Sequence, residues 1–534
     1  MDDVEAVVIG AGPNGLVAAN VLADAGWRVL VVEAQPEPGG AVRSGELTHP
    51  GFVHDLFSAF YPLGAASPVM QRLALTQHGL TWRRAPVTLA HPLPHGRCAV
   101  LSTALDETAR SLDELAPGDG DAWRTLYAEY ERVADPVLDA MTSPIPPLRG
   151  LAKLTATLGP RGMLEFARTA VLSVRRLAQE RFAGEGAALL LAGNALHSDV
   201  TIDATPSGFL GWLLTCLGQQ HGFPVPEGGA GRLTDALVRR LRSQGGAIEC
   251  NRPVTGVVIR DGRAVAVRFA DGSERAAPRA VIADVGAPAL YRDLVGEEHL
   301  PATVVRDLDR FQYDSATFKV DWALSGPIPW HAEGAHHAGV VHVCESMDVA
   351  TAYTTDLACD RIPDRPFVLV GQMNKADPTR SPAGTETVWA YTHVPREPRA
   401  DGRPHQRGGG VTGKWDATDV ERFVTRVEDE IEAQAPGFRS MVTARHVLTP
   451  PSLEAHDANL VGGSLGGGTM ALWQQLVFRP VPGLGRAETP VKGLYLGSAS
   501  AHPGGGVHGA CGANAARAAI AADRVRRALS RLGR

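Results

Sequence analysis

An apolar run, a glycine-spaced turn, an apolar-periodic stretch and a second apolar run follow one another between Val4 and Val32, and this order most narrows what the chain can become. Val4 to Ile9 reads as a short buried strand, Asn14 to Ala25 as a helix, and Val29 to Val32 as a second strand. Gly10, Gly12 and Gly15 stand between strand and helix with the spacing of a dinucleotide fingerprint. Gly10 permits the tight turn, Gly12 lets backbone approach a pyrophosphate, and Gly15 lets the helix lie close on the strand. Gly12, Pro13, Asn14 and Gly15 therefore open a helix whose free N–H groups and dipole favour phosphate. Glu33 closes the second strand, where a carboxylate accepts hydrogen bonds from ribose hydroxyls and repels a 2′-phosphate. Gly39 and Gly40 add a second close backbone approach to the same ligand.

With 534 residues and 44% hydrophobic content, the chain can bury a large core in two or three substructures. The net charge of −6 and the scattered basic residues give no reason to expect nucleic acid as a partner. Six cysteines, Cys98, Cys216, Cys250, Cys344, Cys359 and Cys511, lie apart with no CxxC pair, which argues against a dithiol relay and against metal-type spacing. Their scarcity, with a strand opening at residue 4, predicts a reducing, cytoplasmic compartment. The longest apolar stretch, Gly208 to Gly218, is too short to span a bilayer, so any membrane contact is peripheral.

Leu105 to about Leu217 has helical patterning broken at Ser143–Pro147 and Gly159-Pro160, which predicts a helical cap. Gly231 to Asp284 reads as a helix, a short strand, a hairpin turning at Asp261-Gly262, and the apolar strand Ala280–Ala283. Phe311 to Val394 alternates and predicts a mixed sheet, Val420 to Ala435 a helix, and Arg399 to Gly413 an exposed loop. Near the end, a strand at Gly493–Leu496 meets Gly497, then Gly504, Gly505, Gly506 and Val507, then a helix from near Gly512. This repeats the opening design of strand, glycine turn and helix N-terminus. Such a helix end stabilises negative charge on a bound cofactor ring.

Four segments, GAGPNGLVAANVLADAGWRVLVVEAQPEPGG, PVPEGGAGRLTDAL, LVGGSLGGGTMALWQQLVFRPVPG and GLYLGSASAHPGGGVHGACGANAA, together resemble the phytoene desaturase-like FAD-dependent oxidoreductases, in the branch of pyridine nucleotide-disulphide oxidoreductase domain-containing protein 2. The resemblance runs nearly end to end. It implies an α/β fold: a two-part Rossmann-like FAD-binding domain of glutathione reductase type, with an inserted α+β substrate domain that carries the helical cap. The expected segments are 1–90, 226–290 and 441–534 for FAD, 91–225 for the cap and 291–440 for the mixed sheet. It further implies bound FAD, with the backbone at Val254 passing the adenine. Arg43 is the matching arginine, although relatives place it directly after the glycine pair and here Ala41 and Val42 intervene.

If FAD is bound, the expected chemistry is hydride removal from a hydrophobic, isoprenoid or carotenoid-like substrate, with reoxidation by dioxygen, a quinone or a carrier. Each buried CH₂ contributes about 0.8 kcal/mol, so a greasy tunnel suffices for binding. His502 and His508 flank the closing glycines as candidate catalytic groups, with structural hydrogen bonding as the competing role. His336, His337 and His342 sit in an alternating stretch and are not expected to hold a metal, and Cys511 reads as a packed thiol. Gly462 to Gly468 lacks the βαβ context of a second nucleotide site. Arg149, Lys153, Arg161, Arg168, Arg175 and Arg176 admit two readings: a solvated helix face or a face resting on a membrane. Two other functions stand against the leading one: a flavin amine oxidase acting on a small polar substrate, and a non-catalytic FAD-fold binding or regulatory protein, as in the prenyl-protein escort relatives. The intact glycines and Glu33 favour cofactor binding and turnover.

Overall fold

A computed structural model of the chain describes residues 4–403 and 410–532, so part of the expected loop at 399–413 lies outside the described residues. The first strand, Ala6–Ile9, is fully buried and pairs in parallel with Val29–Val32 on one side and Ala280–Ala283 on the other. Ala247–Glu249 and Leu494–Leu496 complete a five-stranded parallel sheet, with the latest strand at the edge beside Ala280–Ala283. Strands buried on both faces carry apolar residues at every position, which is why these runs do not alternate. Ala6, Val8, Val29 and Val31 point to the helices Pro13–Asp24, Gly231–Ser243 and Ala510–Leu532. Val7, Ile9, Leu30 and Val32 point to the antiparallel strands Val254–Arg260 and Arg263–Phe269. Asp261 and Gly262 turn that hairpin with φ of 51° and 68°, the left-handed pair that an Asp-Gly turn supplies.

The second layer system is a seven-stranded mixed sheet centred on Val368–Gln372, with its two longest strands, Ala316–Leu324 and Glu386–Val394, paired side by side. It recruits strands from both sides of the expected segment: Val87–Pro92 pairs with Ala338–Val343, and Val442–Leu448 pairs with Ala316–Leu324. The seams placed at 90/91 and 440/441 thus fall at strands of this one sheet. One face is closed by the helix Ala417–Gln434, whose Phe423, Val424, Val427 and Ile431 meet Phe318, Val320, Trp322 and Val370. The other face bears Leu89, Val340, Leu369 and Trp389 and receives the cap. The cap consists of helices at Leu105–Leu115, Asp119–Thr142, Leu148–Val171, Val174–Arg181, Glu185–Ala195 and Ser207–His221. Gly159, at φ 65° and ψ 178°, kinks the third of these just before Pro160, where the sequence placed a break.

Candidate functional site

Gly12 occupies the cap position of the first helix and has no side chain to cap it, the arrangement that leaves first-turn N–H groups to a phosphate. A Cβ on Gly12 would stand 2.7 Å from Asp284 Oδ2, and one on Gly40 would stand 3.0 Å from the Gly12 Cα. The glycine pair therefore seats directly on the phosphate turn. Glu33 accepts the Ala11 N–H at 2.7 Å through one oxygen and the Gln35 N–H at 2.9 Å through the other, which fixes the carboxylate and leaves lone pairs for ribose hydroxyls. Arg252 donates its backbone N–H to the Glu33 carbonyl at 2.8 Å, bringing Val254 just beyond the ribose position. Arg43 spends Nε on the Gly40 carbonyl at 3.0 Å and Nη2 on the His456 carbonyl at 2.8 Å, so it braces the glycine pair.

Asp284, at the end of the strand Ala280–Ala283, is a site residue that the sequence did not disclose. Its Oδ2 accepts the Gly15 N–H at 2.7 Å. Burial pushes its carboxyl up to about 8, and the nearby Asp457 and Glu33 charges add to that rise. The signal that could have found it is positional: it ends the strand beside the first one, where ligands of parallel sheets collect.

The closing motif forms the far wall. Gly497 donates its N–H to the Ala283 carbonyl at 2.8 Å, and a Cβ on it would meet Ile282 at 3.1 Å. Gly504, Gly506 and Val507 take φ of 112°, 124° and 49°, so the loop turns through conformations that glycine alone adopts freely. Gly505 backs onto Gly466 so closely that a Cβ on it would stand 3.1 Å from the Gly466 Cα, and the tract Gly462–Gly468 thereby packs on the closing loop as a support. Asp314 shapes that tract by accepting the Ser464 hydroxyl and the N–H groups of Leu465 at 2.9 Å and Gly466 at 2.8 Å. Fully buried Arg479 staples it, donating to the carbonyls of Gly466 at 2.8 Å, Thr469 at 3.0 Å and Ala499 at 2.7 Å. Sequence reasoning missed both residues, because their partners are backbone atoms distant in sequence.

His508 Nδ1 accepts the Ala510 N–H at 3.0 Å at the start of the last helix, while burial holds its ring down to about 4. His502 lines a cleft of about 190 Å³ with Pro144, Asn514 and Arg517, and burial holds its ring down to about 4 as well. Both imidazoles are thus neutral near pH 7. Cys511 is buried, directs its S–H to the Gly504 carbonyl at 3.4 Å, and has its thiol pushed up to about 12 by burial. All six cysteines are free, and no group of three or more metal-ligating side chains exists among the described residues.

On the cap-facing side of the seven-stranded sheet stands a polar cluster that no motif announced. His91, His342, Tyr391 and Lys319 lie on neighbouring strands of that face, and His197 reaches over from the end of the cap helix Glu185–Ala195. His197 Nδ1 is 3.0 Å from Tyr391 Oη, and its Nε2 is 3.4 Å from His342 Nε2. Trp389 and Tyr391 stack at 5.8 Å, and Phe60 tilts onto Trp389 at 5.9 Å. The cluster is tied to the closing loop and its support by two neighbouring contacts. Asp199 accepts the Met470 N–H at 2.8 Å just beyond the support tract, and Leu63, in the segment of Phe60, lies against Gly506.

The family model of flavin containing amine oxidoreductases matches residues 14–381, more than half of the chain. The chain belongs to that family. This flavin containing amine oxidoreductase is 30% identical to the mouse (Mus musculus) pyridine nucleotide-disulfide oxidoreductase domain-containing protein 2, over 96% of this chain and 93% of the relative. It is 26% identical to a neurosporene-forming phytoene desaturase of Rhodobacter capsulatus, over 94% and 91% of the two chains. Among solved structures, an oxidoreductase from Methanosarcina mazei superposes with a TM-score of 0.63 at 19% identity, covering 96% of this chain and 99% of the other. The cofactor is FAD, and the residues present fit it: a flavin-containing family supplies the ring, while the Gly12 cradle and the Glu33 carboxylate fit a pyrophosphate and a ribose. The disulfide chemistry in the mouse relative's name has no counterpart in these isolated cysteines.

Proposed function

We propose that this FAD-dependent oxidoreductase is a dehydrogenase of desaturase type, acting on a hydrophobic molecule of isoprenoid or carotenoid class and returning its electrons to an external acceptor, whether dioxygen, a quinone or a carrier. Bound FAD supplies two-electron acceptance from a substrate C–H bond. The chain's own residues bind, orient and exclude water. The observation that carries the reading is the make-up of the cap-facing cluster: Phe60, Leu369 and Trp389 are apolar, burial holds the His197 and His342 imidazoles neutral, and the Lys319 cation is spent on Asp321. Such a lining holds an uncharged chain by area.

The relative named as a phytoene desaturase supports the substrate class. So does the outer surface, where Leu148, Leu164, Trp473 and Leu476 are exposed and offer a way to a lipid phase; no described helix is long and apolar enough to cross a membrane. One observation favours amine oxidation instead. The stacked Trp389–Tyr391 pair with Phe60 forms an aromatic wall of the kind that receives a cation. Against it, the Asp314 carboxylate is consumed by the support tract and Asp199 by Met470.

Anaerobic addition of an isoprenoid extract in liposomes to the FAD-loaded protein is expected to bleach the flavin, and putrescine is expected to leave it oxidised. Bleaching by the amine alone would overturn the reading.

A further inference from the structure

The three rings His342, His197 and Tyr391 form a chain whose proton positions the surroundings fix. A Cβ on Gly193 would fall onto His342 Nδ1, so the hydrogen that glycine carries there points at that nitrogen. Nδ1 has no hydrogen-bond partner and no room for a proton of its own, and a bare lone pair accepts such a C–H contact. His342 is held neutral by burial, so its single proton sits on Nε2 and is donated to His197 Nε2 at 3.4 Å. His197 is neutral as well, with burial holding it down to about 3, so its proton sits on Nδ1 and goes to Tyr391 Oη at 3.0 Å. The opposite arrangement would bury an N–H with no acceptor, which costs about 1–3 kcal/mol. The Tyr391 hydroxyl, already accepting from His197, keeps its own proton free.

That proton is left for a ligand. His197 is exposed and Tyr391 half-buried, so the hydroxyl end of the ring chain presents accessible surface. Half-buried Phe60 stands beside it, tilted onto the buried Trp389 ring at 5.9 Å. We propose that the Tyr391 hydroxyl, oriented by His197 and His342, is a hydrogen-bond donor to an oxygen atom on the substrate, so that the substrate is an oxygenated apolar molecule carrying a carbonyl, hydroxyl or ether group. The inference rests on the hydrophobic-substrate reading and narrows it. Tyr391 is the contact, whereas His197 and His342 are positioning residues.

The test uses the FAD-loaded protein and three matched probes delivered in detergent micelles, tridecane, 2-tridecanone and tridecylamine, with the flavin's visible absorbance as the binding signal. The ketone is expected to bind roughly three- to tenfold more tightly than the alkane, as one neutral hydrogen bond allows. Tyr391→Phe is expected to bring that ratio to about one with alkane affinity and FAD content unchanged. Equal binding of ketone and alkane to the wild type would overturn the oxygen contact while leaving the apolar reading in place. Binding of the amine alone, or of none of the three, would overturn both. Equal weakening of ketone and alkane in Tyr391→Phe would reduce the residue to packing and overturn the proposal. Nitrogen-15 histidine spectra give a second readout that needs no ligand: the His197 proton is expected on Nδ1, and finding it on Nε2 would overturn the donor assignment.

Discussion

A carboxylate beneath a pyrophosphate cradle opposes the charge that the cradle is built to hold, and Asp284 occupies that place against Gly12 and Gly15. With its pKa up at about 8, it is neutral at pH 7 and becomes an anion only above that. FAD affinity of the wild type is therefore expected to fall as pH rises through about 8, and Asp284→Asn to remove that fall; equilibrium dialysis with flavin fluorescence measures both. The stability of the apoprotein moves in the same direction. The native carboxyl keeps its proton from about pH 4 to about 8 while the unfolded one, near 3.9, loses it, so stability declines across that window. The melting-temperature gain of Asp284→Asn is expected to be larger at pH 8 than at pH 5. Glu33 has the opposite character, since its oxygens already hold two backbone N–H groups and keep room for ribose. Glu33→Ala should weaken FAD by about 2–4 kcal/mol, read from the same dialysis.

Among elements, the tract Gly462–Gly468 shows most clearly where sequence reading stops. Its glycines were visible, and the absence of a following strand and helix ruled out a nucleotide turn, but its role depends on Asp314 and Arg479, whose partners are main-chain atoms of this tract and of Ala499. No periodicity encodes such contacts. The opening unit was legible because all its parts are local: strand, glycine turn and helix are consecutive and each has its own residue signature. The His197–Tyr391 contact was illegible for the opposite reason, since it joins a cap helix end to a strand position 194 residues later. Likewise Val87–Pro92 alternates too little to show which sheet it joins, and pairing alone assigns it to Ala338–Val343. Asp314→Ala should cost about 3 kcal/mol or more, because it leaves several N–H groups without an acceptor. Denaturant unfolding measures that loss, and a lower FAD content on purification is expected with it, since Gly466 supports Gly505.

At the scale of the whole molecule, two apolar surfaces meet near one cleft. Leu148, Leu151, Leu164 and Val171 are exposed on the kinked cap helix, and Trp473, Leu476, Val477 and Phe478 on the segment after the support tract. Pro144 below the helix and Gly485, which packs on Val477, line the same cleft. Trp473, 69% exposed, and Leu164, 74% exposed, are the most exposed large apolar side chains of that segment and of the helix, respectively. Exposed apolar patches of this kind mark interaction sites. Replacing both by Asp is expected to reduce co-sedimentation with lipid vesicles roughly tenfold, since two large side chains at about 1.5–3 kcal/mol each more than cover that factor. FAD content should not change.

The parallel sheet also orders events in time. Its edge strand Leu494–Leu496 lies beside Ala280–Ala283, and Gly512 of the following helix packs on Asn14 at the very first glycine turn. A ribosome adding about 5–20 residues per second takes roughly 30–100 s to travel from one to the other. Throughout that interval the nascent chain displays a phosphate turn without the helix that backs it, so the complete cradle forms only once the closing helix has been made.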